Sequence, residues 1–319
     1  RNIPIRSCDM SNAGGGVVIN GDFCLVEDCN ITNMKNVQNT YSTTAPGNDN
    51  DYGANPFTLN GSDNIIQDNY ISGGWAESED YGWNGGAFEM FDSCSRNKFL
   101  RNTIVDCGGI AEFGAFAAAA TSVDNVFAYN KIINCGNLSW VNFNGTFAIN
   151  ATNIQYINNI IVENSLSRFS GPNTGAGIVT PRVLAKIAAE PDLLAFSSGS
   201  PSATVYVLKN NIFNLQTGQK IVRSSTVGSK TLHQNNIYKN NGTLGFTLDP
   251  SEITTSAAIW QNTSGDPITW DYHLVPGSAA ITFGQAVSGI TTDFAGNALV
   301  GLPDAGIYEV GTVSSLAAT

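Results

Sequence analysis

Apolar and polar positions alternate through most of this chain in short runs, and the runs are separated by Asn, Asp, Ser and Gly. Period-two alternation bounded by turn residues predicts strands rather than helices. One segment recurs: a few apolar residues, a polar pair, an Asn or Cys, one variable residue, then Ile or a relative. Its copies run from Ile5-Arg6-Ser7-Cys8-Asp9-Met10 and Val26-Glu27-Asp28-Cys29-Asn30-Ile31 through Ile66-Gln67-Asp68-Asn69-Tyr70-Ile71, Leu100-Arg101-Asn102-Thr103-Ile104 and Ala128-Tyr129-Asn130-Lys131-Ile132. They continue through Tyr156-Ile157-Asn158-Asn159-Ile160 and Leu208-Lys209-Asn210-Asn211-Ile212 to His233-Gln234-Asn235-Asn236-Ile237. A degenerate repeat with loops of unequal length between copies predicts one all-β solenoid, a parallel β-coil.

The recurring Asn has a physical use at the bend between two strands of a coil. A short amide can adopt the left-handed conformation there and bond to the Asn of the next rung, about 4.8 Å away, so an internal asparagine ladder is expected. Cys8 and Cys29 take the ladder slot in the first two rungs, and Cys107 and Cys135 should stack on each other. They read as buried thiols, with disulfides between rungs as the alternative.

A second strand precedes each ladder segment, aligned as Val17-Val18-Ile19, Phe57-Thr58-Leu59, Phe88-Glu89-Met90, Ala111-Glu112-Phe113 and Val141-Asn142-Phe143. Alternation sends Ile19, Leu59, Met90, Phe113 and Phe143 inward, and turns Val18, Thr58, Glu89, Glu112 and Asn142 outward. Two of these strands open on the same phrase, Gly85-Gly86-Ala87-Phe88-Glu89 and Gly108-Gly109-Ile110-Ala111-Glu112. If they are neighbouring rungs, Glu89 and Glu112 stand side by side. Like charges placed directly opposite destabilise a sheet, so the pair is more than the fold requires.

Three insertions interrupt the coil, at residues 35–56, 75–84 and 166–204. The first carries an acidic, glycine-bounded turn whose Asp49 and Asp51 offer oxygen ligands to Ca²⁺, although the spacing is not that of a full calcium loop, so a solvated turn is the alternative. The second holds Trp75, Tyr81 and Trp83 and leads into the Glu89 strand. The third contains Arg182-Val183-Leu184-Ala185-Lys186-Ile187-Ala188-Ala189-Glu190, which predicts a short helix ending before Pro191. Beyond Gly242 the repeat fades. Residues 1–242 read as repeating coils and residues 243–319 as terminal coils and a cap, together one domain.

Composition narrows the function. A net charge of -11 with 15 Lys plus Arg argues against nucleic acid and against anionic membrane as partners. Charged residues make up only 13%, and Asn, Ser, Thr and Gly carry the polar load, as suits strands and tight turns. No apolar run is long enough for a transmembrane helix. The six cysteines and two histidines show no metal-ligand spacing, so no cofactor is expected apart from the Ca²⁺ candidate. Sequons at Asn30, Asn60, Asn137, Asn144, Asn150, Asn241 and Asn262 would suit a secreted protein, and residue 1 already reads as part of a coil, which suggests a processed chain or an attached N-terminal domain.

The rungs resemble the right-handed parallel β-helix of extracellular polysaccharide-acting proteins. Asp271-Tyr272-His273-Leu274-Val275-Pro276-Gly277-Ser278-Ala279-Ala280-Ile281, Thr292-Asp293-Phe294-Ala295-Gly296-Asn297 and Pro303-Asp304-Ala305-Gly306-Ile307-Tyr308-Glu309 resemble the terminal signature of secreted bacterial β-helix proteins, including lyases similar to chondroitinase B and alginate lyase. Ala279 and Ala305 stand where that signature has proline and isoleucine. The Gly-Gly-x-x-Glu doublet resembles β-helical glycosidases, with acids on neighbouring rungs. That resemblance implies a secreted or cell-surface glycoside hydrolase acting on a β-linked carbohydrate, with Glu89 as nucleophile and Glu112 as acid/base. Nucleophiles there tend to be Asp, which keeps Asp92 as a third candidate acid.

Adjacent rungs lie about 4.8 Å apart, close to the carboxylate separation of about 5 to 5.5 Å that a retaining glycosidase needs. Trp75, Tyr81, Trp83, Trp140 and Asn142 are the candidate sugar-binding residues. Two other readings remain open. A polysaccharide lyase would draw its base from Arg96, Lys98 or Arg101, and a non-catalytic glycan-binding adhesin or filament subunit would use the coil as a self-associating rod.

Overall fold

The computed structural model describes residues 4–38, 51–78, 82–117, 119–163, 192–197, 199, 201–215, 218–240 and 242–310. The chain winds into three parallel sheets that run side by side along a coil, of eight, nine and seven strands. In the first sheet lie Pro4–Arg6, Leu25–Glu27, Ile65–Gln67, Lys98–Leu100, Val126–Ala128, Ile154–Ile157, Tyr206–Lys209 and Thr231–Gln234. Two corner residues separate each of these from the next strand of the second sheet, which runs from Asp9–Ser11 to Ile253–Thr255. The third sheet holds Gly15–Ile19, Asn55–Leu59, Phe88–Phe91, Ala111–Gly114, Ser139–Val141, Asp192–Phe196 and Lys220–Val222. This is a right-handed parallel β-helix, and the repeated segment is its first two strands with the corner between them.

The core is a column of stacked like residues. Ile31, Ile71, Ile104, Ile132 and Ile161 pair in register on successive rungs of the second sheet, all fully buried. Phe99, Phe127 and Tyr156 do the same on the first, with ring centroids 4.3 and 4.8 Å apart and planes within 11° of parallel. Offset stacking adds to their hydrophobic burial.

Corner chemistry departs from expectation in one respect. The left-handed residue is the one before the inward amide: Asp68, Arg101, Tyr129, Asn158, Asn210 and Asn235 all have φ between 52° and 58°. The amide that follows turns into the coil, where Asn69 Nδ2 donates to Asn102 Oδ1 at 3.0 Å and Asn102 Nδ2 to Asn130 Oδ1 at 3.1 Å. The run continues through Asn159, Asn211 and Asn236. In the Asn-Asn doublets of the last three rungs it is therefore the second Asn that bonds inward, one position later than the repeat suggests, because the first occupies the bend. Cys8 and Cys29 precede this run, and all six cysteines are free. A second amide run, Asn64, Asn97 and Asn125, lines the corner that enters the first sheet.

The first run ends on Glu252. Its side chain is fully buried and accepts from Asn236 Nδ2 at 2.7 Å, Tyr238 Oη at 2.8 Å and the Asp249 N–H at 3.0 Å, and it pairs with His233 Nδ1 at 2.7 Å. Burial alone would raise this carboxyl, but the bonds from His233, Asn236 and Asp249 hold it below its ordinary value.

Two stretches differ from the sequence reading. Residues 192–196, inside the segment read as the third insertion, form a strand between Ser139–Val141 and Lys220–Val222; the long loop before it hid the repeat. The helix expected over residues 182–190 lies outside the described residues. From Ile259 onward the tail doubles back along the coil. Ile259, Trp260, Tyr272, Ala280, Ala305 and Ile307 form a second core with outward-facing Val105, Ala128, Ile133, Ile157, Ile160 and Ile212. The carboxylates of Asp293 and Asp304 hold the tail's turns by accepting from backbone N–H groups of Asn297, Glu309, Thr282 and Val310.

Candidate active site

The glycine doublets have a steric cause. Gly85 has φ of 105°, and a Cβ there would lie 2.6 Å from the Ala54 carbonyl oxygen. At Gly108 it would lie 2.6 Å from the Gly85 carbonyl oxygen and 2.8 Å from Trp83 Nε1. The corners at Ala54, Gly85 and Gly108 thus stack tightly, and at the last two only glycine fits. Gly86 and Gly109 follow as a bare floor. The strands then run inward at Phe88 and outward at Glu89, with Glu89 directly opposite Thr58 on one side and Glu112 on the other.

The two glutamates occupy different environments. Glu89 is half-buried and takes a hydrogen bond on Oε2 from Asn55 Nδ2. Burial, and secondarily the charge of Glu112, push its carboxyl up to about 7 against the opposing effect of the Asn55 bond. Glu112 is exposed, and its Oε1 accepts from Asn142 Nδ2 at 3.0 Å. Asn142 is aimed in turn by Trp140, whose Nε1 donates to its Oδ1 at 2.9 Å.

On the following rung the register differs from the expected one by two residues. Trp140, not Asn142, stands opposite Glu112, and Val141, not Phe143, is the inward partner of Phe113. A two-residue shift preserves the inside-outside pattern, so alternation could not detect it. Asn142 lies just past the strand end and reaches back to Glu112.

The pair sits in a cleft of about 590 Å³. One wall carries Asp51, Tyr52, Trp83 and Asn84, and the other Phe91, Phe116 and Phe147. Several candidates fall elsewhere. Trp75 is only 1% exposed and does not line the cleft, so it packs as core. Trp140 lines the cleft but carries the Arg223 guanidinium 4.7 Å over its ring, which occupies one stacking face. Asp92 sits at a left-handed corner off the cleft, its Oδ1 accepting from the N–H groups of Phe116 and Ala117, both at 2.8 Å. Its role there is to hold a loop. Tyr81 and Asp49 lie outside the described residues.

Asp51 is buried and accepts from Ser78 Oγ at 2.6 Å. No cluster of three or more metal-ligating side chains occurs among the described residues, which do not include the rest of this turn. The cationic residues considered for a lyase belong to the first sheet and its corners, not to the cleft. Arg96 is bound bidentately to Asp63 and Arg101 to Asp68. Sequence reasoning missed Asn55, Tyr52 and the phenylalanine wall. Phe91 had a legible signal, since it follows Glu89 by two residues on the same strand, whereas Asn55 lies an odd step from Thr58 and reads as inward, and Phe116 and Phe147 come from separate loops.

No helix among the described residues is long and apolar enough to cross a membrane. No family model matches the chain, and no curated protein matches it. Among solved structures the chain is similar to one titled "Crystal structure of pectate lyase Pel9A", at 14% identity and a TM-score of 0.43, over 92% of this chain and 73% of that one. So distant a likeness does not bear on the site.

Proposed function

We propose that the cleft is the active site of a glycoside hydrolase, with Glu89 and Glu112 as its two carboxyl groups. The observation that carries this reading is the split environment of the pair: neighbours in register, one carboxyl pushed up to about 7 and the other exposed and held by an amide. Two like groups with separated proton affinities are what acid-assisted glycosidic cleavage uses. The roles run opposite to the order that the resemblance implied. Glu89, with its carboxyl pushed up to about 7, is the acid; Glu112, exposed and held by Asn142, is the nucleophile.

In the first step Glu89 protonates the glycosidic oxygen while Glu112 attacks the anomeric carbon. The carbon–oxygen bond to the leaving group breaks, and a glycosyl ester forms on Glu112. Formation of the ester removes the Glu112 charge, which lowers the proton affinity of Glu89 and prepares it to take a proton from the incoming water. Water then displaces Glu112 and releases the sugar. Neighbouring strands about 4.8 Å apart favour this double displacement over the single displacement that needs about 6.5 to 9.5 Å. The substrate is taken to be a β-linked sugar, and the setting extracellular or cell-surface.

The placement of Arg96 and Arg101 in ion pairs away from the cleft weighs against the lyase reading. The test is turnover of a panel of β-linked oligosaccharides and glycosides. Glu89→Gln and Glu112→Gln are each expected to lower kcat by about a thousandfold with an unchanged circular dichroism spectrum. Undiminished turnover in both variants would sink the proposal, and sugar binding without turnover in the unsubstituted protein would favour the glycan-binding alternative.

A further inference from the structure

The two walls of the cleft differ in chemistry. The Trp83 wall adds polar groups, and Asn84 Nδ2 is buried there without a partner while its Oδ1 accepts from the Gly85 N–H at 2.9 Å. The opposite wall is three phenylalanines. Ring centroids are 5.1 Å apart for Phe91 and Phe116, 5.4 Å for Phe116 and Phe147, and 5.9 Å for Phe91 and Phe147, the last two edge-to-face. Phe116 is 74% exposed and Phe147 39%, so both leave ring surface in water beside the carboxylates.

This wall is held in place. Asp92 fixes the Phe116 loop through two backbone N–H groups, and the Ala115 N–H donates to the Phe147 carbonyl at 3.0 Å. Gly114 is bare where the Phe91 ring lies, since a Cβ there would come within 2.8 Å of Phe91 Cζ. A phenylalanine has no hydroxyl or N–H to offer a sugar, so a cluster of three gains most when an apolar group displaces water from it. Phe91 follows Glu89 by two residues on the same outward face, and Phe116 follows Glu112 by four, so the apolar wall lies at the C-terminal end of both glutamate strands.

We propose that Phe91, Phe116 and Phe147 form a subsite for an apolar leaving group, so that the substrate class is the glycosides of aryl or alkyl alcohols, with the sugar on the Trp83 wall. The cleavage part of this rests on the hydrolase reading; the binding part does not. The test is calorimetric binding to Glu112→Gln of paired methyl and 4-nitrophenyl β-glycosides of glucose, galactose, xylose and N-acetylglucosamine. In the pair whose sugar fits, the aryl member should bind about tenfold more tightly. Phe116→Ala with Phe147→Ala should erase that difference and leave the methyl glycoside's affinity unchanged. Equal affinity within every pair, no binding by any aryl member, or a preference that survives the phenylalanine substitutions would each overturn the proposal. Retained turnover in Glu89→Gln and Glu112→Gln would instead remove the hydrolase reading and leave the binding result standing.

Discussion

A carboxyl held near neutrality is a switch that can be read directly. On the proposed hydrolase reading Glu89 must be protonated for cleavage, so kcat/KM should fall as pH rises through about 7, the value its burial and the Glu112 charge produce. Removing that charge tests the cause: in Glu112→Gln the carbon-13 carboxyl resonance of Glu89 should titrate at lower pH than in the parent chain. An unchanged midpoint would show that burial alone is responsible. Asn142 is a positioning residue, since it aims Glu112 without itself being placed on the reacting atoms. Asn142→Ala should lower kcat by about ten- to a hundredfold with little change in KM, and Asn142→Asp should not restore it, because a carboxylate cannot donate to Glu112.

Among the elements, the corner amides decide whether rungs stay in register. Asn102 is fully buried; its Nδ2 donates to the Ile66 carbonyl and to Asn130, and its Oδ1 accepts from the N–H and the amide of Asn69. Asn102→Ala leaves those groups unpaired away from water and should cost about 2 to 5 kcal/mol. The exposed Asn30→Ala should stay within about 0.5 kcal/mol, and chemical denaturation separates the two. The repeat was legible because each rung needs the same inward residue and the same bend. The strand at residues 192–196 was not, because nothing local distinguishes it once a long loop has broken the spacing.

The whole molecule carries several half-buried carboxyls with raised proton affinity. Burial pushes Glu89, Asp106 and Glu309 up to about 7, with neighbouring acids adding to it, from ordinary values of 4.5, 3.8 and 4.5. The folded state therefore holds protons that the unfolded chain has already released, so this contribution is complete below those ordinary values and is lost as pH rises through about 7. Asp63, Asp249, Asp271, Glu27 and Glu252 have the opposite shift, and their contribution disappears as pH falls through the depressed values. Thermal unfolding should show a maximum at mildly acidic pH. Replacing both Glu89 and Glu309 by Gln should flatten most of the decline between about pH 5 and pH 8, since it removes two of the three raised groups.

By itself the sequence determined the coil, the stacking of Glu89 on Glu112 and the glycines before them, because each follows from a local period repeated along the chain. What it could not determine were distinctions that the period leaves unchanged: which Asn of a doublet turns inward, and whether Trp140 or Asn142 follows Glu112. The tail's signature was visible, but its path along the coil's flank was not, since that depends on which outward faces are apolar together. The cleft's chemistry came latest. Strands and loops far apart in the chain place Asn55, Trp83 and the three phenylalanines around the same two carboxyls, and only that convergence gives Glu89 and Glu112 their different surroundings.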